Sequence, residues 1–469
     1  MTEDVERHRS KQKELSRSRS RYDVIISSLT IWLLIAALLV DSLLSDVSTF
    51  VNESLAETTR VILFSTLVGI AVFTGSYVIS NDTNRVRQQL SSRMSFLPVV
   101  SRIIAAIQYS IVGLLVLMTV QIIFTSQYFI VFLIASLMIS WFSAVGVMAL
   151  MSFKLIQWYR FKKSILVLLY IIFSLMITVI QLTISIPTFF IIMQTSPFSV
   201  DAHSTEVKPF QARTLDLDTL FAIVSGANWF VIPMSYVVWV ATAAMLYYYS
   251  LNIGQIKFWL MLSAPLAGLI IGDLALLVFV PSINTVFDQQ VIFYTMILFG
   301  GLISGGLLLA FSFKVIARNL QNNDPNRKLS NYRAIASRGI AILFVAFYAN
   351  VSSGSYLPFG ILASSFLHFG AFLFFAGVYA STVTISSEVS LRRTIRTDLL
   401  DKTRLLDNIA QADMNQELEK LTIGIVEKHQ KEMSEETGID PAIPEVEIKK
   451  YVHEAISFVN EERRKRLSP

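Results

Sequence analysis

Long apolar runs constrain this chain more than any other feature. A helix needs about 20 consecutive apolar residues to cross the hydrocarbon layer of a bilayer. Within that layer only helices and closed barrels can satisfy every backbone polar group. Ten segments are long and apolar enough, near 23–44, 61–79, 103–124, 128–151, 165–193, 219–248, 258–280, 291–316, 338–353 and 358–385. The ninth is the shortest, because only Gly339 to Ala349 is continuously apolar. It spans if Arg338 snorkels at one interface and Asn350 to Ser353 lie near the other. Composition agrees: 54% of the 469 residues are hydrophobic and 16% charged, against about 25% charged in soluble domains. There is too little polar surface to coat a water-soluble particle of this size. The expected fold is all-α, a polytopic transmembrane bundle of about ten spans.

The charges orient that bundle. With the N-terminus placed in the cytoplasm and the loops alternating, 36 of the 39 Lys and Arg fall inside, and only Arg60, Lys208 and Arg213 fall outside. Cytoplasmic loops carry the excess of Lys and Arg, so an N-in, C-in topology in the cell membrane is expected. Three regions follow: a basic cytoplasmic segment 1–22, a membrane domain 23–385, and a helical cytoplasmic tail 386–469. The first apolar run exceeds the 7–15 residues of a removable leader and reads as a retained span. The net charge of +5 is gathered on one membrane face, which favours the lipid bilayer and not nucleic acid as the partner.

Several chemistries are excluded or unsupported. The chain has no cysteine, so thiolate nucleophiles, disulfides and Cys-ligated metals are out. Its five histidines show no close metal-ligand pairing, and no cofactor motif is present. Gly272-Asp273 matches half of an intramembrane aspartyl-protease motif, but Ile270 stands where the other glycine belongs. Ser304-Gly305 is similar to a rhomboid nucleophile, but Leu302 replaces its first glycine. A lone carboxylate or serine without an activating partner is not a catalytic site, so no enzyme is expected.

Polar residues inside the spans are the candidates for function. Asp273 lies in the seventh span, where an Asp costs about 2.5–3.5 kcal/mol to insert. It should therefore face protein or water. His368 in the tenth span, Asn228 in the sixth and Gln181 in the fifth fall at similar depth. Together they would form an Asp–His–amide cluster able to hold a proton, a cation or a small polar ligand. The plainer alternative is a set of interhelical hydrogen bonds, worth about 0.6 kcal/mol each. Gly268 and Gly272 form one small-residue pair and Gly301 and Gly305 another, a spacing that lets helix backbones approach closely. Span six contains Ser225-Gly226-Ala227-Asn228 and Pro233, the makings of a helix break. Span one has no Gly or Pro to match it, which weakens an inverted-repeat transporter.

After Ile385, apolar residues at 391, 395, 399, 406 and 409 recur at helical spacing. They predict one helix continuing from the tenth span to about 411. A second stretch sets Leu418, Leu421 and Ile425 on one face, and 445–463 reads as a final charged helix. Arg392, Arg393 and Arg396 are candidate cytoplasmic contacts, with anionic headgroups as the alternative. The stretches Leu357-Pro358-Phe359-Gly360, Ser387-Glu388-Val389-Ser390-Leu391-Arg392 and Glu435-Glu436-Thr437-Gly438 resemble a group of uncharacterised archaeal multi-pass membrane proteins. That resemblance implies the topology and an archaeal origin, and its recurrent tail implies a cytoplasmic partner; it brings no activity. Two functions are expected on this basis. One is a membrane sensor or signalling scaffold acting through 386–469. The other is a secondary transporter with a proton or cation site at Asp273. A homo-oligomer is compatible with either.

Overall fold

The computed structural model describes residues 29–44, 57–89, 96–125, 127–194, 199–201, 217–247, 254–279, 289–323, 328–352, 361–387 and 404–437, together with Tyr451, Glu454 and Phe458. Among them the protein is helical apart from one short ribbon. The helices are α1 (Leu29–Leu44), α2 (Glu57–Gln89), α3 (Phe96–Thr125), α4 (Ile130–Phe161), α5 (Ile165–Gln194), α6 (Leu217–Leu246), α7 (Gln255–Phe279), α8 (Gln289–Asn323), α9 (Lys328–Ser352), α10 (Ile361–Ser365), α11 (Leu367–Ser387) and α12 (Arg404–Thr437). Strands β1 (Gln127–Phe129) and β2 (Ser199–Asp201) pair antiparallel, with Tyr128 opposite Val200.

Among the described residues seven helices are long and apolar enough to cross a membrane, in α2, α3, α4, α5, α7, α8 and α11. Shorter apolar helices occur at Leu29–Leu44 and Phe230–Leu246. Many of the large apolar side chains on these helices point outward, among them Trp32, Phe73, Ile123, Phe124 and Trp259. In water such a surface would be an aggregation liability; in lipid it is the solvated face. The chain is an integral membrane protein.

The helices overrun their apolar cores. The segment predicted at 61–79 continues as helix to Gln89, and the one predicted at 128–151 continues to Phe161. Intrahelical hydrogen bonding does not stop where the hydropathy falls, so polar residues such as Asp82 and Trp158 remain helical. The tenth segment differs in another way: it breaks into α10 and α11 at Phe366. The cause is local. Ser365 Oγ donates to Leu362 O at 2.6 Å and the Phe366 amide bonds Ala363 O, a tight i to i+3 turn. Side-chain and 3₁₀ bonds of this kind compete with the α-helical ladder.

The chain divides into two compact units, 1–151 with 172–380, and 152–171 with 381–469. In the first unit α9 is the surprise. Its apolar run is short, yet every residue from Gly339 to Tyr348 is buried, as is every residue from Ile361 to Ala380. A helix wrapped by protein needs no lipid-facing apolar stripe. Two seams hold it. Against α8, Ser330 Oγ donates to Ala317 O at 2.8 Å and Ser337 Oγ to Ala310 O at 2.6 Å, an antiparallel register. Against α11, a side chain at Gly377 would meet Ala336 N at 2.5 Å, and one at Gly370 would meet Leu343 N at 2.6 Å. Such backbone approach is the glue where lipid is as apolar as leucine. Phe173, Phe344, Phe374 and Phe313 fill the space beside these seams with ring pairs 5.8–6.2 Å apart.

The second unit comprises the end of α4, the start of α5, the end of α11 and α12. Here Asp413 of α12 lies 2.6 Å from Ser386 Oγ of α11. Twenty-seven residues of continuous helix would separate these positions by about 40 Å. The expected single helix running from the tenth span to about 411 is therefore wrong: α12 returns to the end of α11. The expected final helix at 445–463 falls almost wholly outside the described residues.

Candidate functional site: a buried polar crossing and a docked helix

The four residues expected to cluster fare differently. His368 is fully buried at the start of α11. Its Nδ1 lies 3.2 Å from Ser140 Oγ on α4. Ser140 Oγ also lies 2.8 Å from Ser364 O and 3.3 Å from Ser365 O. A hydroxyl has one proton to give, and the nearer carbonyl at Ser364 takes it, so Nδ1–H of His368 donates to Ser140. Its Nε2 is then an acceptor, and it has no hydrogen-bond partner among the described residues. Gln181 is buried too, but its amide bonds Ser185 Oγ one turn along α5 at 3.3 Å. Asp273 and Asn228 belong to α7 and α6, and their side chains lie outside the described residues. So do Arg392, Arg393 and Arg396. Of the predicted glycines, Gly301 sits against α7: a Cβ there would meet Leu269 N at 2.7 Å and Pro265 O at 3.0 Å. At Gly305 a Cβ would stand 3.9 Å from Pro265 Cβ. Gly272 is buried and Gly268 half-buried on α7.

A second intramembrane carboxylate joins the His368 region. Asp41 of α1 is fully buried, and its Oδ2 accepts from the Ala363 amide at 3.0 Å. That amide is in the first turn of α10 and has no intrahelical acceptor, so Asp41 caps a helix from elsewhere in the chain. Ser42 and Ser364 present buried hydroxyls nearby in sequence to these contacts. The result is a polar crossing built from α1, α4 and the α10–α11 break. Asp41 was legible in principle, since it lies inside the first apolar run as Asp273 lies inside the seventh.

Asp82 and Arg338 form a further charge contact among the described residues, with Nη1 2.6 Å from Oδ1 and Asp82 fully covered. Arg338, expected to snorkel at an interface, makes this contact with its guanidinium. Asp82 lies just beyond its apolar run, which is why it reads as a loop residue in the sequence.

In the second unit the centre is Asp413. Trp158 Nε1 donates to its Oδ1 at 3.2 Å, and Ser386 Oγ donates to its Oδ2. Lys162 donates to Gln411 Oε1, and Asn408 Nδ2 to Ser164 Oγ at 3.0 Å. Burial pushes the Asp413 carboxyl above its ordinary range, against the two hydrogen bonds that pull it down. The first half of α12 is thus docked: Ile409, Ala410, Ala412, Asp413 and Asn415 are buried. The second half is not. Leu418, Leu421 and Ile425 are 46%, 58% and 59% exposed on one face. Nothing in the local sequence singles out Trp158 or Asp413, because the pair is 255 residues apart.

Among the described residues no group of three His, Asp or Glu could hold a metal ion. The apolar helices define a membrane-embedded helical protein, and the polar helix α12 belongs to its second unit. Comparison with protein-family models, curated proteins and solved structures finds no match, so the archaeal resemblance adds nothing to the site.

Proposed function

We propose that this protein is a membrane sensor or signalling scaffold of the cell membrane, with about ten crossings, both ends in the cytoplasm, and α12 as its output element. The observation that carries this reading is the division of α12. Residues 408–415 are held by a buried polar latch, while 417–437 extend a solvated helix with an unpartnered apolar stripe. The polar faces of that half carry exposed pairs Lys420–Glu417, Lys428–Glu432 and Lys431–Glu435. Its six Glu outnumber its three Lys. An acidic helix is repelled by anionic headgroups, which favours a protein over the membrane face as its partner. Helices α4 and α11 each run through both units of the chain. Ser140 and Trp158 are 18 residues apart on α4, and His368 and Ser386 are 18 apart on α11.

The test uses the full chain in cells, with a photo-crosslinking residue at Leu421. Capture of one specific cytoplasmic protein, lost when the crosslinker stands at exposed Thr422, supports the reading. No adduct from either position, with signalling phenotypes unchanged on deletion of 417–437, refutes it. The second reading, secondary transport, draws on the broken α10–α11 segment and the unpartnered His368 Nε2, since discontinuous helices build ion and substrate sites. Proton or solute flux in proteoliposomes that His368→Gln or Asp273→Asn abolishes would favour it over the sensor.

A further inference from the structure

A cleft lies between the start of α1, the end of α8 and the start of α9. It is open on one side and has a cavity volume of about 120 Å³. Ile35, Leu307 and Ala341 form part of an apolar wall, and Lys314 and Arg338 are its charged residues. Among the described residues no carboxylate lines it. Lys314 Nζ stands 5.1 Å from the centre of the Trp32 ring, and no described carboxylate pairs with it. Arg318, one turn further along α8, adds a third cation that Lys314 feels along with Arg338. Against these three stands Asp82, which occupies one of the five Arg338 donors. The cleft is therefore short of negative charge, with Lys314 and Arg338 both half-buried, and covering an unmatched charge is costly. Its rim is apolar and open: Trp32 is 50% exposed and Phe311 40%.

We propose that this cleft binds the phosphate headgroup of an anionic phospholipid, with the acyl chains along the outer faces of Trp32 and Phe311. The cleft opens onto its apolar rim, so the chains lie outside it against Trp32 and Phe311. Free phosphate shares the charge chemistry but leaves the apolar rim unused. The site does not depend on the role of α12.

Full-length protein in detergent, offered equal phosphatidylglycerol and phosphatidylcholine, is examined by native mass spectrometry. A Lys or Arg near a headgroup contributes about 1 kcal/mol, or about fivefold. Wild type should retain phosphatidylglycerol in preference, and Lys314→Gln should cut that preference about fivefold. Lys257→Gln, at an exposed position on α7, should leave it unchanged. Tryptophan fluorescence gives a second readout. Phosphatidylglycerol brominated on its acyl chains should quench fluorescence more than brominated phosphatidylcholine does, and Trp32→Phe should remove the difference. Equal preference in wild type and Lys314→Gln, or no difference in quenching, overturns the proposal. So does inorganic phosphate binding that is as tight as the lipid, because it assigns the cleft to a free oxyanion.

Discussion

Replacing Asp413 with alanine is the sharpest perturbation of the α12 latch. The carboxylate accepts from Trp158 at 3.2 Å and from Ser386 at 2.6 Å. Hydrogen bonds to a charged acceptor contribute about 1.5–3 kcal/mol each, and the longer one belongs at the low end. Their loss amounts to roughly 4 kcal/mol. Removing a buried carboxylate also relieves its desolvation, the same burial that raises the Asp413 pKa, and this offsets roughly half. A net loss of about 2 kcal/mol corresponds to a rise of about 30-fold in the undocked population. Backbone hydrogen exchange of the full chain in nanodiscs reads this directly. Amides of 408–416 should exchange about 30-fold faster in Asp413→Ala, while those of α8 and α9 keep their rates. The pH dependence has a definite sign. Asp413 holds its proton more tightly when docked, so docking is strongest at acid pH. It weakens as pH rises from the ordinary carboxylate range through the raised value. Asp413→Asn keeps an acceptor without the charge, so it should lose less protection and flatten the pH profile. Unchanged exchange at 408–416 in Asp413→Ala, or protection that increases with pH, would refute the latch.

Three further perturbations follow from the buried contacts. Arg338→Gln strands the fully covered Asp82, and breaking a buried pair costs about 3–5 kcal/mol; thermal unfolding in detergent should show a large drop that Asp82→Asn partly restores in the double variant. Gly377→Leu forces a side chain into the Ala336 backbone, an overpacking of about 1–3 kcal/mol or more, whereas Gly113→Ala, with nothing within 4 Å, should leave the melting temperature within a degree or two. The triple change Leu418→Ser, Leu421→Ser and Ile425→Ser alters only exposed side chains, so the melting temperature should stay put while partner capture at α12 is lost.

The amino-acid sequence by itself determined the solvent and the helical character of the apolar runs. Lipid offers no hydrogen bonds to a backbone, so runs such as 103–124 and 165–193 had only the helix available, and both are helical throughout. It also flagged His368 as an anomalous polar residue, because intramembrane titratable groups are rare. Tertiary structure decided which polar groups meet. Ser140 and His368 are 228 residues apart, Asp82 and Arg338 are 256 apart, and Trp158 and Asp413 are 255 apart; no local period encodes such pairings. It also reversed the standing of α9, the least apolar candidate by hydropathy and among the most buried helices in the bundle. Hydropathy measures what a helix offers to lipid. A helix enclosed by its neighbours is held instead by serine-to-carbonyl bonds and close glycine contacts, and those exist only once the partner helices are in place.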